Sequence, residues 1–175
     1  MKNYKLFRII SDEPHKEIEF EDKLLAWIDN DTNLMWELKN KINIEFKYIW
    51  SKKYIDKTDN TFYLNDDVKD IFSYVDKLNK MTYAGHNDWR IPTMRELESL
   101  IISGKSGDAS IKIPLSKNYI YACWSSDSYV DIDDYAWNID LAFASKAYDL
   151  KTSVFSVYCV REGIVQNSMS ASSDS

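Results

Sequence analysis

The chain has 175 residues, enough to bury one real core, and its 45% apolar and 14% aromatic content excludes a disordered protein. Its formal net charge is −6 and its basic residues form no stripe, which excludes binding to nucleic acid by phosphate neutralisation. No run of eighteen apolar residues exists, so no helix is expected to span a membrane.

The first residues, MKNYKLFRII, mix charge with apolar side chains and predict a short strand, and Ser11 to Lys16 around Pro14 reads as a loop. No apolar run here is long enough for a signal-peptide core, and two cysteines are too few for a stapled secreted module, so a cytoplasmic location is expected, with export lacking a recognisable signal peptide as the alternative. Leu24 to Ile28 and Leu34 to Leu38 are apolar and Trp-bearing, and the Asp29-Asn30-Asp31-Thr32-Asn33 string between them predicts a hairpin turn. Asp29 and Asp31 lack the glycine and distal glutamate of an EF-hand loop, which argues against calcium there.

Residues 39–62 are the least legible part, although Phe46, Tyr48 and Trp50 alternate with Lys47 and Ile49 as a strand with one aromatic face would. A helix is predicted from Asp66 to Lys80, capped by Asn65 or Asp66, with Val68, Ile71, Phe72, Val75 and Leu78 as its apolar stripe.

Gly85 to Ile102 is the densest stretch. Gly85 suits a positive φ, and His86-Asn87-Asp88 are turn formers. Trp89-Arg90-Ile91 should run extended before Pro92, and Thr93 with Glu96 forms a capping box that opens a second helix, Thr93 to Ser103. A guanidinium at Arg90, between buried neighbours, needs fixed acceptors, for which Asp88, Glu96 and Asp140 are the candidates. Beyond a flexible Ser103 to Gly107 loop and an edge segment at Ile111 to Leu115, the chain reads as an antiparallel meander. Its strands are Ile120 to Ser125, Tyr135 to Leu141, Ala144 to Leu150 and Val154 to Arg161, and a disordered tail, 164–175, follows the 1–163 domain.

The string Asp88-Trp89-Arg90-Ile91-Pro92-Thr93-x-x-Glu96-Leu97 resembles the D-W-R-[LI]-P-T-x-x-E-L hallmark of a bacterial domain family that includes the C-terminal domain of the Legionella collagen-like adhesin. Asn33-Leu34-Met35-Trp36, Cys123-Trp124-Ser125-Ser126, Tyr135-Ala136-Trp137 and Tyr158-Cys159-Val160-Arg161 resemble its other signature strands in the same order, from Leu24 to Arg161. The resemblance implies an α+β, C-type lectin-like fold related to formylglycine-generating enzymes, with two helices packed on antiparallel β-sheet; it implies no reaction. Relatives carry a cysteine near Val75 that can partner the one in the closing strand; this chain has none there, so Cys159 lacks that mate.

Chemistry-bearing residues are sparse. His15 and His86 are the only histidines, and His86 beside Asp88 reads as a turn residue sooner than as a base. Cys123 and Cys159 mimic the copper-binding pair of the formylglycine-generating enzymes, but both stand among strand-core residues, where free cysteine acts as a small hydrophobe. The loop Ser125 to Tyr135 holds Asp127, Tyr129, Asp131, Asp133, Asp134 and Tyr135. It reads equally as a solvated acidic turn or as a ligand face, with calcium bridging a glycan or with carboxylates meeting a basic protein. Asp88, Trp89, Arg90, Pro92, Thr93 and Glu96 are structural in this reading, and no cofactor is called for. The function expected is a non-enzymatic binding module with a protein or glycan partner, and the rivals are a cysteine-pair enzyme and a structural subunit. The four tryptophans Trp36, Trp89, Trp124 and Trp137 are expected in the core.

Overall fold

The structure is a computed structural model and describes residues 5–6, 25–39, 46–54, 69–102, 110–112 and 122–163. The expected loops at 11–16 and 103–107 and the tail at 164–175 lie outside these residues.

A hairpin lies at the centre. Strands β2 (Ala26–Asp29) and β3 (Leu34–Glu37) pair antiparallel, and every residue of both is buried. The expected turn forms between them, with Asn33 at φ 55°, a conformation asparagine tolerates. Asp29 fastens it by accepting from the Asp31 amide at 3.1 Å and the Thr32 hydroxyl at 2.9 Å, while the Lys112 ammonium bonds the same carboxylate. Strand β1 (Lys5–Leu6) adds to β2, and the last strand, β9 (Val160–Glu162), adds to β3, giving the order β1-β2-β3-β9. Gly163 closes this edge: a Cβ there would stand 2.5 Å from the Asn33 carbonyl oxygen.

Alternation sends the two faces of this sheet into two separate cores. Ala26, Ile28 and Met35 pack with Ile71, Tyr74, Leu78, Trp89 and Trp124; Trp27, Leu34 and Trp36 pack with Leu97, Leu100, Cys123, Ile139 and Tyr158. Helix α1 (Ile71–Lys80) covers the first face and α2 (Met94–Glu98) the second. No helix among the described residues is long and apolar enough to cross a membrane.

Both helices are shorter than expected. Asp70 caps α1: it is extended, accepts the Ser73 amide at 2.7 Å and bridges to Ile49, while the expected caps Asn65 and Asp66 lie outside the described residues. Its stripe centres on Ile71, Tyr74 and Leu78, leaving Phe72 44% exposed and edge-on to Trp50. Helix α2 forms its capping box as expected but stops at Glu98. The β-branched Ile101–Ile102 leaves the helix to form β4, paired with β5 (Ser110–Ile111).

Strands β6 (Ala122–Ser128), β7 (Tyr135–Asp140) and β8 (Ser145–Leu150) form the expected meander, an antiparallel sheet of order β6-β7-β8. The fourth segment does not join it as a meander strand. It makes one parallel bridge, Ser156 to Cys123, and then runs through the interior, with Val157 to Val160 all buried, to end in the central sheet. The fold is therefore α+β with two main antiparallel sheets instead of the single sheet expected. Trp27, Trp36, Trp89 and Trp124 are buried, whereas Trp137 is only half-buried.

The Asp88–Leu97 stretch ties these layers together. Asn79 of α1 clamps the Trp89 backbone with bonds of 2.8 and 2.9 Å, and the Trp89 indole donates to the Tyr83 carbonyl. Arg90 exchanges two 2.9 Å backbone bonds with Val160, and the Pro92 carbonyl accepts from Ser126. Of the three partners expected for Arg90, only Glu96 is found, bound bidentately at 2.8 and 2.6 Å, with Glu162 at 3.3 Å. Asp88 bonds Arg161 instead, and Asp140 accepts the Ala142 and Phe143 amides of the β7–β8 turn. Burial pushes the Glu96 carboxyl up, but bonds from Arg90 and Thr93 outweigh it and hold it below its ordinary value. The stability this adds is in place above the unfolded value of about 4.3 and is lost as pH falls through the depressed one.

The Arg90 side chain is 40% exposed, so Arg90→Ala is expected to lose only about 1 kcal/mol, as exposed pairs do, and not the larger penalty of a buried charge. Thr93→Ala is expected to lose about 1 kcal/mol through its cap. Urea melts check both.

Candidate functional site

The loop between β6 and β7 is built on buried anchors. Asp127 does not face solvent as a free carboxylate: its Oδ2 accepts the Met94 amide at 2.6 Å, fixing the start of α2 against β6. The loop closes on itself through Tyr129 N–H to Tyr135 O at 2.9 Å and Tyr135 N–H to Ile132 O at 3.1 Å. Beneath it sits Lys151, 2% exposed, whose ammonium bonds the Asp133 carbonyl, lies 3.4 Å from the Asp133 carboxylate and rests 4.6 Å over the Trp50 ring. Its amide donates to the Asp134 carbonyl at 2.7 Å. The loop thus has a defined shape, and basic charge lies nearer to it than its composition indicates.

On one face of the β6–β8 sheet the side chains form an aromatic platform. Trp137 on β7 stands directly opposite Tyr148 on β8. Tyr129 stacks on Tyr148 with centroids 4.2 Å apart and planes 20° apart, and meets Trp137 edge-on at 5.4 Å. Trp137 and Tyr135 both present edges to Tyr148, at 5.5 and 5.9 Å. Such tilted and offset contacts are the favourable geometries for rings. Helix α2 packs on β6 and β7, with Cys123 and Ile139 joining Leu97 and Leu100 in its core and Lys146 paired to Glu98. The aromatic end of the same face stays open: Tyr148 and Leu150 are each 45% exposed, and Ile132 and Val130 in the adjoining loop are exposed too.

Asp131, Asp133 and Asp134 are exposed in the adjoining loop, and Asp131 reaches Tyr129 of the platform. Tyr129's phenol is pushed above its ordinary value by partial desolvation and by its hydrogen bond to Asp131. Among the described residues, no three acidic, histidine or cysteine side chains converge.

The structure therefore brings Tyr129, Asp131 and Tyr135 to one open surface, leaves the Asp133 and Asp134 carboxylates exposed in the adjoining loop and assigns Asp127 to fastening the start of α2. Sequence reasoning missed Trp137 and Tyr148, and the one signal for them is the period-two Tyr135/Trp137 and Tyr148/Leu150 alternation. The strand expected at Ala144 to Leu150 forms as the edge strand Ser145–Leu150.

The family model of the Lcl C-terminal domain matches residues 26–161. The chain belongs to the Lcl C-terminal domain family. No curated protein and no solved structure matches it. In this Lcl C-terminal domain the matched span covers the central hairpin, both helices, the platform and the first two residues of β9, so the family signature coincides with the packed body just described.

The remaining chemistry is quiet. His86 is a half-buried turn residue whose imidazole is held below its ordinary value by burial and by Arg161, against an opposing effect of Asp88. Cys123 and Cys159 are free and fully buried. Burial pushes the Cys123 thiol up to about 12 and Cys159 well above its ordinary value, where thiolate, the reactive form, is scarce at neutral pH. Thiol titration is expected to count no fast-reacting cysteine in the native chain and two after denaturation. A single rapid native thiol contradicts this.

Proposed function

We propose that the chain is a non-enzymatic, lectin-like binding module that recognises a protein or glycan partner through the aromatic platform and its acidic rim. The observation that carries the reading is the open cluster Tyr129, Tyr135, Trp137 and Tyr148 beside the exposed carboxylates Asp131 and Asp134, held by a buried lysine. Rigid, amphipathic rings give large contact area at small entropic loss, and a polar rim selects the partner. The exposed carboxylates and the net charge of −6 favour a basic protein segment.

The test is a pair of peptide and glycan arrays probed with the wild-type chain, Tyr148→Ser and the double variant Asp131→Asn/Asp134→Asn. Ligands held by the wild type should weaken about tenfold or more in both variants, with the melting temperature unchanged in the exposed aspartate pair and lowered by a few degrees in Tyr148→Ser, which gives up three ring contacts. A protein ligand should weaken with salt and ignore chelators, whereas a calcium-bridged glycan should do the reverse. Ligands held equally by all three proteins would place the binding face elsewhere.

A further inference from the structure

Strand β8 ends its sheet, and its register shows which backbone groups it leaves unspent. Lys151 donates to the Asp134 carbonyl, directly in line with the Tyr135–Leu150 pair. In an antiparallel ladder, hydrogen-bonded pairs alternate with non-bonded ones. Asp149, Ala147 and Ser145 therefore turn their backbone groups toward β7, and Leu150, Tyr148 and Lys146 turn theirs away. The other side of β7 agrees, since the Tyr135 carbonyl accepts from Tyr129 and so faces β6. The Leu150 carbonyl is taken by the Ser153 amide. The N–H groups of Lys146, Tyr148 and Leu150 and the carbonyls of Lys146 and Tyr148 remain along the outer edge. Among the described residues no strand lies beyond them.

Exposed edges are usually guarded by a bulge, a proline or an unengaged charge. Strand β8 pairs with β7 through six uninterrupted positions and contains no proline. Its charges are turned elsewhere: Lys146 pairs with Glu98 at 2.8 Å, and Asp149 accepts from Asn138 at 2.7 Å. The edge is a regular template.

The side chains of Lys146, Tyr148 and Leu150 share the face of the aromatic platform. A strand added antiparallel to β8 places its own residues opposite Tyr148 and Leu150 on that face, about 5 Å away. Cationic side chains at those two positions meet the Tyr148 ring and the exposed carboxylate of Asp131, whose hydrogen-bonded partner Tyr129 stacks on that ring. The chain's net charge of −6 adds long-range attraction for such a segment and opposes a second copy of itself.

We propose that β8 accepts an extended basic peptide segment as a fourth strand of its sheet, with Lys or Arg at alternate positions set over the aromatic platform. This rests on the binding reading above and names its partner's chemistry.

The experiment titrates acetyl-Arg-Val-Arg-Val-Thr-amide into the whole chain by calorimetry, beside the same peptide N-methylated at both arginines. N-methylation keeps the charge and removes the amides that would face β8. The chain is used as wild type, Lys146→Ala and Lys146→Pro, the last losing an outward N–H that the β7 ladder does not use. The unmodified peptide should bind the wild type and Lys146→Ala, and binding should fall about tenfold or more with Lys146→Pro or with N-methylation. Equal binding of the two peptides overturns strand addition while leaving the face itself in place, as does Lys146→Pro matching Lys146→Ala. A wild type that ignores the peptide overturns the basic-peptide proposal, and the array variants then judge the binding face separately. Sedimentation of the chain alone should show a monomer; a dimer abolished by Lys146→Pro would make a second copy the occupant and overturn the proposal.

Discussion

Glu37→Leu is expected to lower stability by about 3–5 kcal/mol, a large share of what a domain of this size has. Glu37 is fully buried on the α1 face of the central sheet, where its two oxygens serve three donors. Oε1 accepts the Lys39 ammonium at 2.7 Å and the Tyr74 hydroxyl; Oε2 accepts the Cys159 amide at 3.1 Å. Lys39 is itself 5% exposed and lies 4.4 Å over the Tyr74 ring. The leucine variant strips a buried ammonium of its carboxylate and leaves two further donors without their acceptor, which is the expensive way to break a buried pair. Tyr74 feels the same carboxylate: burial first, then the charge and hydrogen bond of Glu37, push its phenol far above the ordinary value. The double variant Glu37→Leu/Lys39→Met should recover much of the loss, since it removes both charges together. Urea melts of both proteins check this; a double variant as unstable as the single one would mean that the acceptor role of Glu37, and not the ion pair, dominates.

Trp124→Ala should cost about 3–5 kcal/mol by emptying the largest side chain that β6 contributes to the core. The indole does more than fill space. It donates to the Tyr48 carbonyl at 2.9 Å and meets Phe155 edge-on at 4.8 Å, so it holds the 46–50 segment and the interior run from Val154 against β6. Trp124→Phe keeps most of the ring volume and removes only the donor, and should lose markedly less. Equal losses in the two variants would show that the hydrogen bond, not the packing, carries the effect.

How much of this was legible follows from the range of the interactions involved. The central hairpin, the Gly85 turn at φ 82° and the Thr93–Glu96 capping box rest on neighbours within a few residues, and the pattern announces them. The family signature likewise lies in contiguous strings. Helix ends were misread where a distant strand decides them: Ile49 sets the start of α1 through Asp70, and Ile111 draws Ile101 out of α2. Glu37, Lys39 and Lys151 resemble surface residues in sequence, because burial of a charge depends on partners up to 122 positions away. The acidic loop was visible as composition, but its platform was not. Tyr148 joins Trp137 only once the β7–β8 register is fixed, and a shift of one residue would turn it to the opposite face.

The proposed function puts recognition on the open aromatic end of the β6–β8 sheet. Amide chemical-shift mapping of the isotope-labelled chain, titrated with the strongest array ligand, tests it most directly. The account predicts shifts concentrated at residues 129–137 and 145–150, with little change across α1 and the central hairpin. Shifts centred instead on Phe46 to Trp50 and Phe72, a second partly exposed aromatic surface among the described residues, would contradict it.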